Sequence, residues 1–321
     1  MAKHLRELGI DCTLGAEADA TDISSRQFGL AAGSGGYARL SRTTSKNIAM
    51  YDALITCKAT KRQRSLLENA SYRESRNRPC FVAFQPGLEF TPERGFSNRH
   101  LFDALFMNNV EHAALYNSVY RNKKSQYVSW GHPYAITPRI FRDPQKGAIV
   151  FFAQAISPIT MGGRQHIVDL LVTLAETYPE REVYIKLRHL PSENNGHVHR
   201  EMFPYPDLLP LNTPSNLKVL AGLMQESISL AGIAITCTST AAVETISAGI
   251  PTCIYTKYVD YLLDPLSASM ARLFQDSGLV ADLTDLLELK VNTPNRRWLD
   301  ANFRGPELFD EMIEAIKNFH R

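Results

Sequence analysis

Residues 233–255, IAITCTSTAAVETISAGIPTCIY, limit the fold more than any other part of the chain. An apolar run passes into a polar turn, a segment of helical period, a glycine and a second apolar run. Two short, continuously apolar strands joined by one helix make a βαβ unit, in which the strands run parallel and both sheet faces are covered. The turn Thr238-Ser239-Thr240 falls where a strand's carboxyl end meets a helix amino terminus. Unpaired backbone N–H groups and the helix dipole attract anions there, phosphate above all. Hydroxyl side chains in such a turn either cap the helix or bind a phosphate oxygen, and Glu244 lies one turn further in. On its own, the turn fits a capped helix and a nucleotide-phosphate site equally well.

The same alternation runs through the chain. Apolar runs recur at 10–14, 53–57, 80–84, 104–107 and 126–130, then at 148–152, 183–187, 217–220, 233–235 and 252–255. Helical patterns lie between them; in 165–178, Ile167, Leu170, Leu171, Leu174, Ala175 and Tyr178 share one face. The fold class expected is α/β, with two doubly wound Rossmann-like domains facing across a cleft. Prolines and charges interrupt the pattern at 135–147, which sets an amino-terminal domain at 1–140 and a carboxyl-terminal one at 141–321. The final amphipathic helix, 306–320, either ends the second domain or crosses back over the joint. Residues 2–8 read as the first helix of a βαβ unit with no strand before it. The expectation is therefore a missing first strand and further residues upstream of Met1.

With 321 residues, 44 % hydrophobic and 21 % charged, the chain has the composition of a soluble globular protein. A net charge of +2 is too mild to imply a nucleic-acid partner. There is no run of about 18 apolar residues and no basic-then-apolar leader. The five cysteines are scattered through apolar runs and read as reduced core residues of a cytoplasmic protein, not a disulfide framework or zinc site.

A second candidate element is VYIKLRHLP, residues 183–191. A buried strand delivers Lys186, Arg188 and His189 at its carboxyl end, where ligands bind in open α/β sheets. Arg188 and His189 suit a diphosphate or a leaving phosphate, and alternation sets Lys186 and Arg188 on one face with His189 at the mouth. A solvent-exposed basic strand end is the plainer account. His189, His197 and His199 with Glu193 and Glu201 contain metal-ligating types, but the loop lacks a helix register to converge them, so no metal is assigned. Gln154 follows another strand and either faces the nucleotide or caps the helix starting near Gly163.

In the first half, the strand 80–84 runs into Gln85, Gly87, Glu89, Glu93 and Arg94. Glu89 or Glu93 is placed to take a proton from an acceptor hydroxyl, with Gln85, Gly87 and Arg94 around it; an ordinary charged loop is the alternative. His132, after Trp130-Gly131, is either a strand-end residue at the cleft or a cap. The basic clusters 58–64 and 73–78 suggest a solvated face, or else a dock for an anionic acceptor or the inner face of a membrane.

The order of elements resembles the bacterial glycosyltransferases of the two-Rossmann-domain GT-B type, in particular capsule sialyltransferases and CDP-glycerol or polyol-phosphate transferases. Those enzymes carry a strand ending in a Lys-x-His-Pro-like motif, then Ser-Ser or Ser-Thr at a later strand end. An acidic helix residue and Gly-x-Pro follow. The counterparts here are Lys186, His189 and Pro191, then Thr238-Ser239-Thr240, Glu244 and Gly249-Ile250-Pro251. Arg188 and Leu190 are departures from the first motif. In the first half, Gln85–Gly87, Asn109–His112 and Gly131-His132-Pro133 match more loosely.

The resemblance implies a metal-independent, inverting transfer of a sugar from a CMP-, CDP- or UDP-linked donor to a glycan, polymer or protein acceptor at the cell surface, with no cofactor. Donor phosphate would contact His189, Arg188, Ser239 and Thr240, and Glu244 would bind the ribose or fix the turn. A sugar-nucleotide 2-epimerase of the same fold, and a catalytically silent nucleotide-sugar-binding protein, stay open as alternatives.

Overall fold

All the apolar runs from residue 53 onwards become strands in the computed structural model, which describes residues 2–17, 37–40, 44–57, 59–85, 92–120, 126–132, 144–196, 200–260, 263, 271–305 and 307–321. The chain divides into two compact units: Met1–Ile136 together with Asp300–Arg321, and Thr137–Leu299.

In the first unit, β1 (Leu14–Glu17) and β2 (Tyr37–Leu40) form a parallel pair of their own. The run at 10–14, expected to be a strand, contributes only its last residue to β1; Ile10 and Cys12 instead pack against the core. The main sheet is β3 (Ala53–Thr56), β4 (Cys80–Phe84), β5 (Ala104–Met107) and β6 (Tyr127–Trp130), parallel and in that order. Strand side chains alternate between two buried faces, which is why β4 is apolar throughout. Cys80, Val82 and Phe84 meet Leu308, Phe309 and Met312 of the terminal helix Glu307–His320, whereas Phe81 and Ala83 meet Leu67, Phe96 and Tyr116 of the connecting helices. The terminal segment thus closes one face of this sheet. Arg304 reinforces it, donating to Ser129 Oγ and Trp130 O at 3.1 Å and pairing with Glu311 at 2.6 Å. Arg78, read from sequence as part of a basic run, is buried; it bonds both carboxylate oxygens of Asp103, at 2.6 and 2.8 Å.

The second unit carries β7 (Ala148–Phe152), β8 (Val183–Lys186), β9 (Leu217–Leu220), β10 (Ala231–Thr236) and β11 (Thr252–Ile254) in the order β11-β10-β7-β8-β9, all parallel. The chain winds outward from β7 through β8 and β9, then returns to the other side of β7 for β10 and β11. This makes β7 and β10 the point where the winding reverses. The helix Met161–Thr177 covers one face with Ile167, Leu170, Leu171 and Leu174; Ile228 and Ala248 belong to the core of the other. The β7–β10 pairing begins at Ala148 and Ala231, and beside it two glycines meet: a Cβ on Gly232 would lie 2.7 Å from Gly147 Cα, so nothing larger fits. No helix among the described residues is long and apolar enough to cross a membrane.

Candidate functional site

In an open parallel sheet two connections diverge where the winding reverses, leaving a crevice outside the strand carboxyl ends, and ligands bind there. In the second unit that position lies beyond Phe152 and Thr236. The residues arriving are Gln154 and Ser157 after β7, and Thr238, Ser239 and Thr240 after β10. Thr238 links Gln154 to Ser157. Gln154 Oε1 accepts from the Thr238 backbone N–H at 2.8 Å and from its hydroxyl at 3.3 Å, and Thr238 Oγ1 lies 3.2 Å from Ser157 Oγ. Gln154 therefore does not cap the next helix, the alternative open from sequence; Thr160 does, accepting from Gly163 N–H at 3.1 Å.

The polar turn divides its labour. Thr238 is buried and engaged with Gln154 and Ser157. Ser239 Oγ accepts from the Ala241 N–H at 3.1 Å, which leaves its own proton to donate. Thr240 is half-buried and its side chain makes no capping bond to the helix Ala241–Ser247. Glu244, half-buried in that helix, has its carboxyl pushed up to about 7 by burial, with the Lys186 charge acting against the rise. Lys186 is itself buried and donates to Leu187 O at 2.7 Å.

Arg164 holds the β7 side of the site. It is almost wholly buried, donating to Gln154 O at 2.8 Å, Ala155 O at 2.5 Å, Pro158 O at 2.8 Å and Phe203 O at 3.0 Å. It also pairs with Glu201 and lies 4.7 Å over the Tyr205 ring. Burial pushes the Glu201 carboxyl up while the charges of Arg164 and His189 oppose the shift. Sequence reading missed Arg164, although one signal pointed to it. Arg164 lies three residues before Ile167 and seven before Leu171, on the apolar stripe of its helix, and a charge on a buried face requires partners. His189, expected at the mouth, is instead buried near Glu201, while Arg188 is exposed. Strand alternation does not reach them, because β8 ends at Lys186.

In the first unit, polar residues gather beyond β4 and β5. Gln85 and Asn108 are buried; Gln85 Oε1 accepts from the Asn108 backbone N–H at 3.2 Å and lies 3.2 Å from His112 Nδ1. Asn109 caps the helix Val110–Val119, its Oδ1 accepting from His112 N–H at 2.9 Å, and its amide donates to Asn302 at 3.1 Å. His132 is buried, and desolvation holds its imidazole down at about 3, so it is neutral. Gly87 and Glu89 lie outside the described residues. Glu93 and Arg94 fall on the helix Pro92–Arg99, with their side chains outside the described set. The histidines at 197 and 199 are likewise outside it, and among the described residues no group of three or more His, Cys, Asp or Glu is placed to hold a metal.

Two Rossmann-like parallel-sheet units in one chain, the second with a polar switch point, are the make-up of the GT-B fold class. Residues 28–319 match the family described as "Putative glycosyltransferase (DUF6716)", and the chain belongs to that family. Glycosyl transfer is accordingly the general class of its chemistry. Similar solved structures include UDP-GlcNAc 2-epimerase from Neisseria meningitidis bound to UDP-GlcNAc, at 14 % identity and TM-score 0.48 over 84 % of this chain and 81 % of that one. The wall teichoic acid polymerase TagF, solved with CDPG, is similar at 11 % identity and TM-score 0.46, covering 88 % and 77 %. S. aureus MnaA in its UDP co-structure is similar at 11 % identity and TM-score 0.45, covering 89 % and 75 %. Among proteins with curated descriptions, none matches. Family membership, not these distant likenesses, gives that general class of chemistry.

Proposed function

We propose that this chain moves a sugar from a nucleotide-sugar donor to a hydroxyl of a cell-surface glycan, polymer or protein acceptor, with inversion and without a metal. The observation that carries the reading is the β7/β10 switch point. There Gln154 and Thr238 lock the two strand ends together, while Ser239, Thr240 and Glu244 keep hydrogen-bonding capacity beside them. The donor phosphate accepts hydrogen bonds from the Ser239 and Thr240 hydroxyls, and the exposed Arg188 supplies counter-charge. Glu244 takes the ribose hydroxyls. As the glycosidic bond breaks, negative charge grows on the leaving phosphate, and donors already in place stabilise it without reorganising. His189, next to Arg188 in the chain, is buried near Glu201. The acceptor proton passes to Glu89 or Glu93 of the first unit.

A thermal-shift series against CMP, CDP, UDP and GDP tests the nucleotide site. A ligand at 100 times its Kd, bound only by the native state, adds about 2.7 kcal/mol. The paired substitution Ser239→Ala with Thr240→Ala is expected to abolish the shift, and an undiminished shift would sink the assignment. Incubation of the matching nucleotide sugars without acceptor separates the reactions. Slow release of nucleotide by hydrolysis supports transfer, an epimerised donor supports the isomerase, and an inert complex supports a silent binder.

A further inference from the structure

Beyond the carboxyl ends of β4 and β5, three buried side-chain atoms have no hydrogen-bond partner: Gln85 Nε2, Asn108 Nδ2 and Asn108 Oδ1. Both residues are deep in the unit, Gln85 at 2 % exposure and Asn108 at 5 %. Buried polar atoms are nearly always satisfied, because leaving one unmade forfeits its hydration with no return. Two adjacent amides with this defect, at the sheet end where parallel sheets bind ligands, mark a place that is completed by something else.

The orientation of Gln85 follows from its neighbours. The Asn108 backbone N–H can only donate, so the atom 3.2 Å away is the amide oxygen, and Nε2 is the group left without a partner. His112 Nδ1, 3.2 Å from the same oxygen, donates to it as well and holds the amide in that orientation. Asn109 is committed elsewhere, to the helix cap and Asn302. What stands ready is two NH2 groups, on Gln85 and Asn108, and one carbonyl acceptor on Asn108. A pair of neighbouring hydroxyls has the matching complement: oxygen lone pairs for both amides and an O–H for the carbonyl. The three groups are neutral amide atoms, and none of them offers a positive charge to a carboxylate or phosphate.

We infer that Gln85 and Asn108 form a subsite for an uncharged, polyhydroxylated ligand, a neutral sugar or polyol. This rests on the proposed function above and names the chemistry of its acceptor: neutral sugar hydroxyls, not a sialic acid or a phosphate-bearing unit. Asn108 and Gln85 are specificity-determining residues in this reading, and the amides recognise the hydroxyls by reciprocal donation and acceptance.

Asn108→Leu in the full chain separates this from an ordinary packing defect, because the Asn108 side chain makes no hydrogen bond that the substitution would break. Saturation-transfer NMR would be read with methyl α-glucoside, methyl N-acetylglucosaminide and glycerol as probes, and with sialic acid as the charged comparison. The expected result is binding of at least one neutral probe, weakened at least about tenfold in Asn108→Leu, with folding intact. Failure of every neutral probe to bind the wild type, equal binding by the variant, or tighter binding of sialic acid overturns the inference. The nucleotide thermal shift is recorded in parallel. If it is intact while the neutral probes fail, only this inference falls; if it is absent, the proposed function falls on its own account.

Discussion

The carboxyl ends of the two sheets are built in opposite ways. In the second unit, Thr238 links Gln154 to Ser157, and Arg164 ties the strand end to the backbone around it. In the first, Gln85 and Asn108, buried like Ser157 and Thr238, hold unmet donors and an unmet acceptor. Equal burial with unequal satisfaction separates a site finished before its ligand arrives from one that the ligand finishes. A pre-satisfied network stays rigid and stabilises the fold, while orphaned amides cost stability until they are filled.

The sharpest way to break this contrast is Arg164→Met. It removes the Arg164 ion pair from Glu201 and the guanidinium donor from four backbone carbonyls. A loss of roughly 3–5 kcal/mol is expected in chemical denaturation, together with loss of the nucleotide thermal shift. A change under 1 kcal/mol would show that the network is not what holds the second site.

Glu244 provides the next test. Its carboxyl is raised from 4.5 to about 7, so between those values the native state binds the proton and the unfolded state does not. Stability therefore falls as pH rises from about 4.5 to about 7 and is level above, an effect on the order of 3 kcal/mol. Glu244→Gln should flatten that slope in melting curves at pH 5 and pH 8; an unchanged slope would place the titration elsewhere. Thr238→Val, removing one hydroxyl from the network, is expected to cost about 1–2 kcal/mol and leave Ser157 without this partner. Smallest of all is Asn108→Leu, which should leave the melting temperature unchanged or slightly raised. A clear fall would mean that Asn108 is satisfied in solution.

The strands were legible from sequence because burial on both faces makes a continuous apolar run, as in CFVAF of β4 and AIVFF of β7. The pair β1 and β2 was harder to read: LGAE and YARL carry little apolar length and a charge each. β10 reaches back to Ala231 through Gly232, a residue that reads as a strand breaker until Gly147 is seen against it. The turn at Thr238–Thr240 was visible as a strand-to-helix junction. Its closure on Gln154 was not, because that bond spans 84 residues and depends on β10 pairing with β7. His189 escaped for a different reason: alternation holds only within a strand, and β8 had already ended.

The return of Asp300–Arg321 to the first unit has a consequence for how the protein is made. Synthesis runs from the amino terminus, and domains generally fold as their residues emerge. All of Thr137–Leu299 is available before Leu308, Phe309 and Met312 exist, yet those three residues cover one face of β4 and β5. On the ribosome, the unit translated later is therefore the first able to fold to completion, while the earlier one waits with an apolar sheet face uncovered.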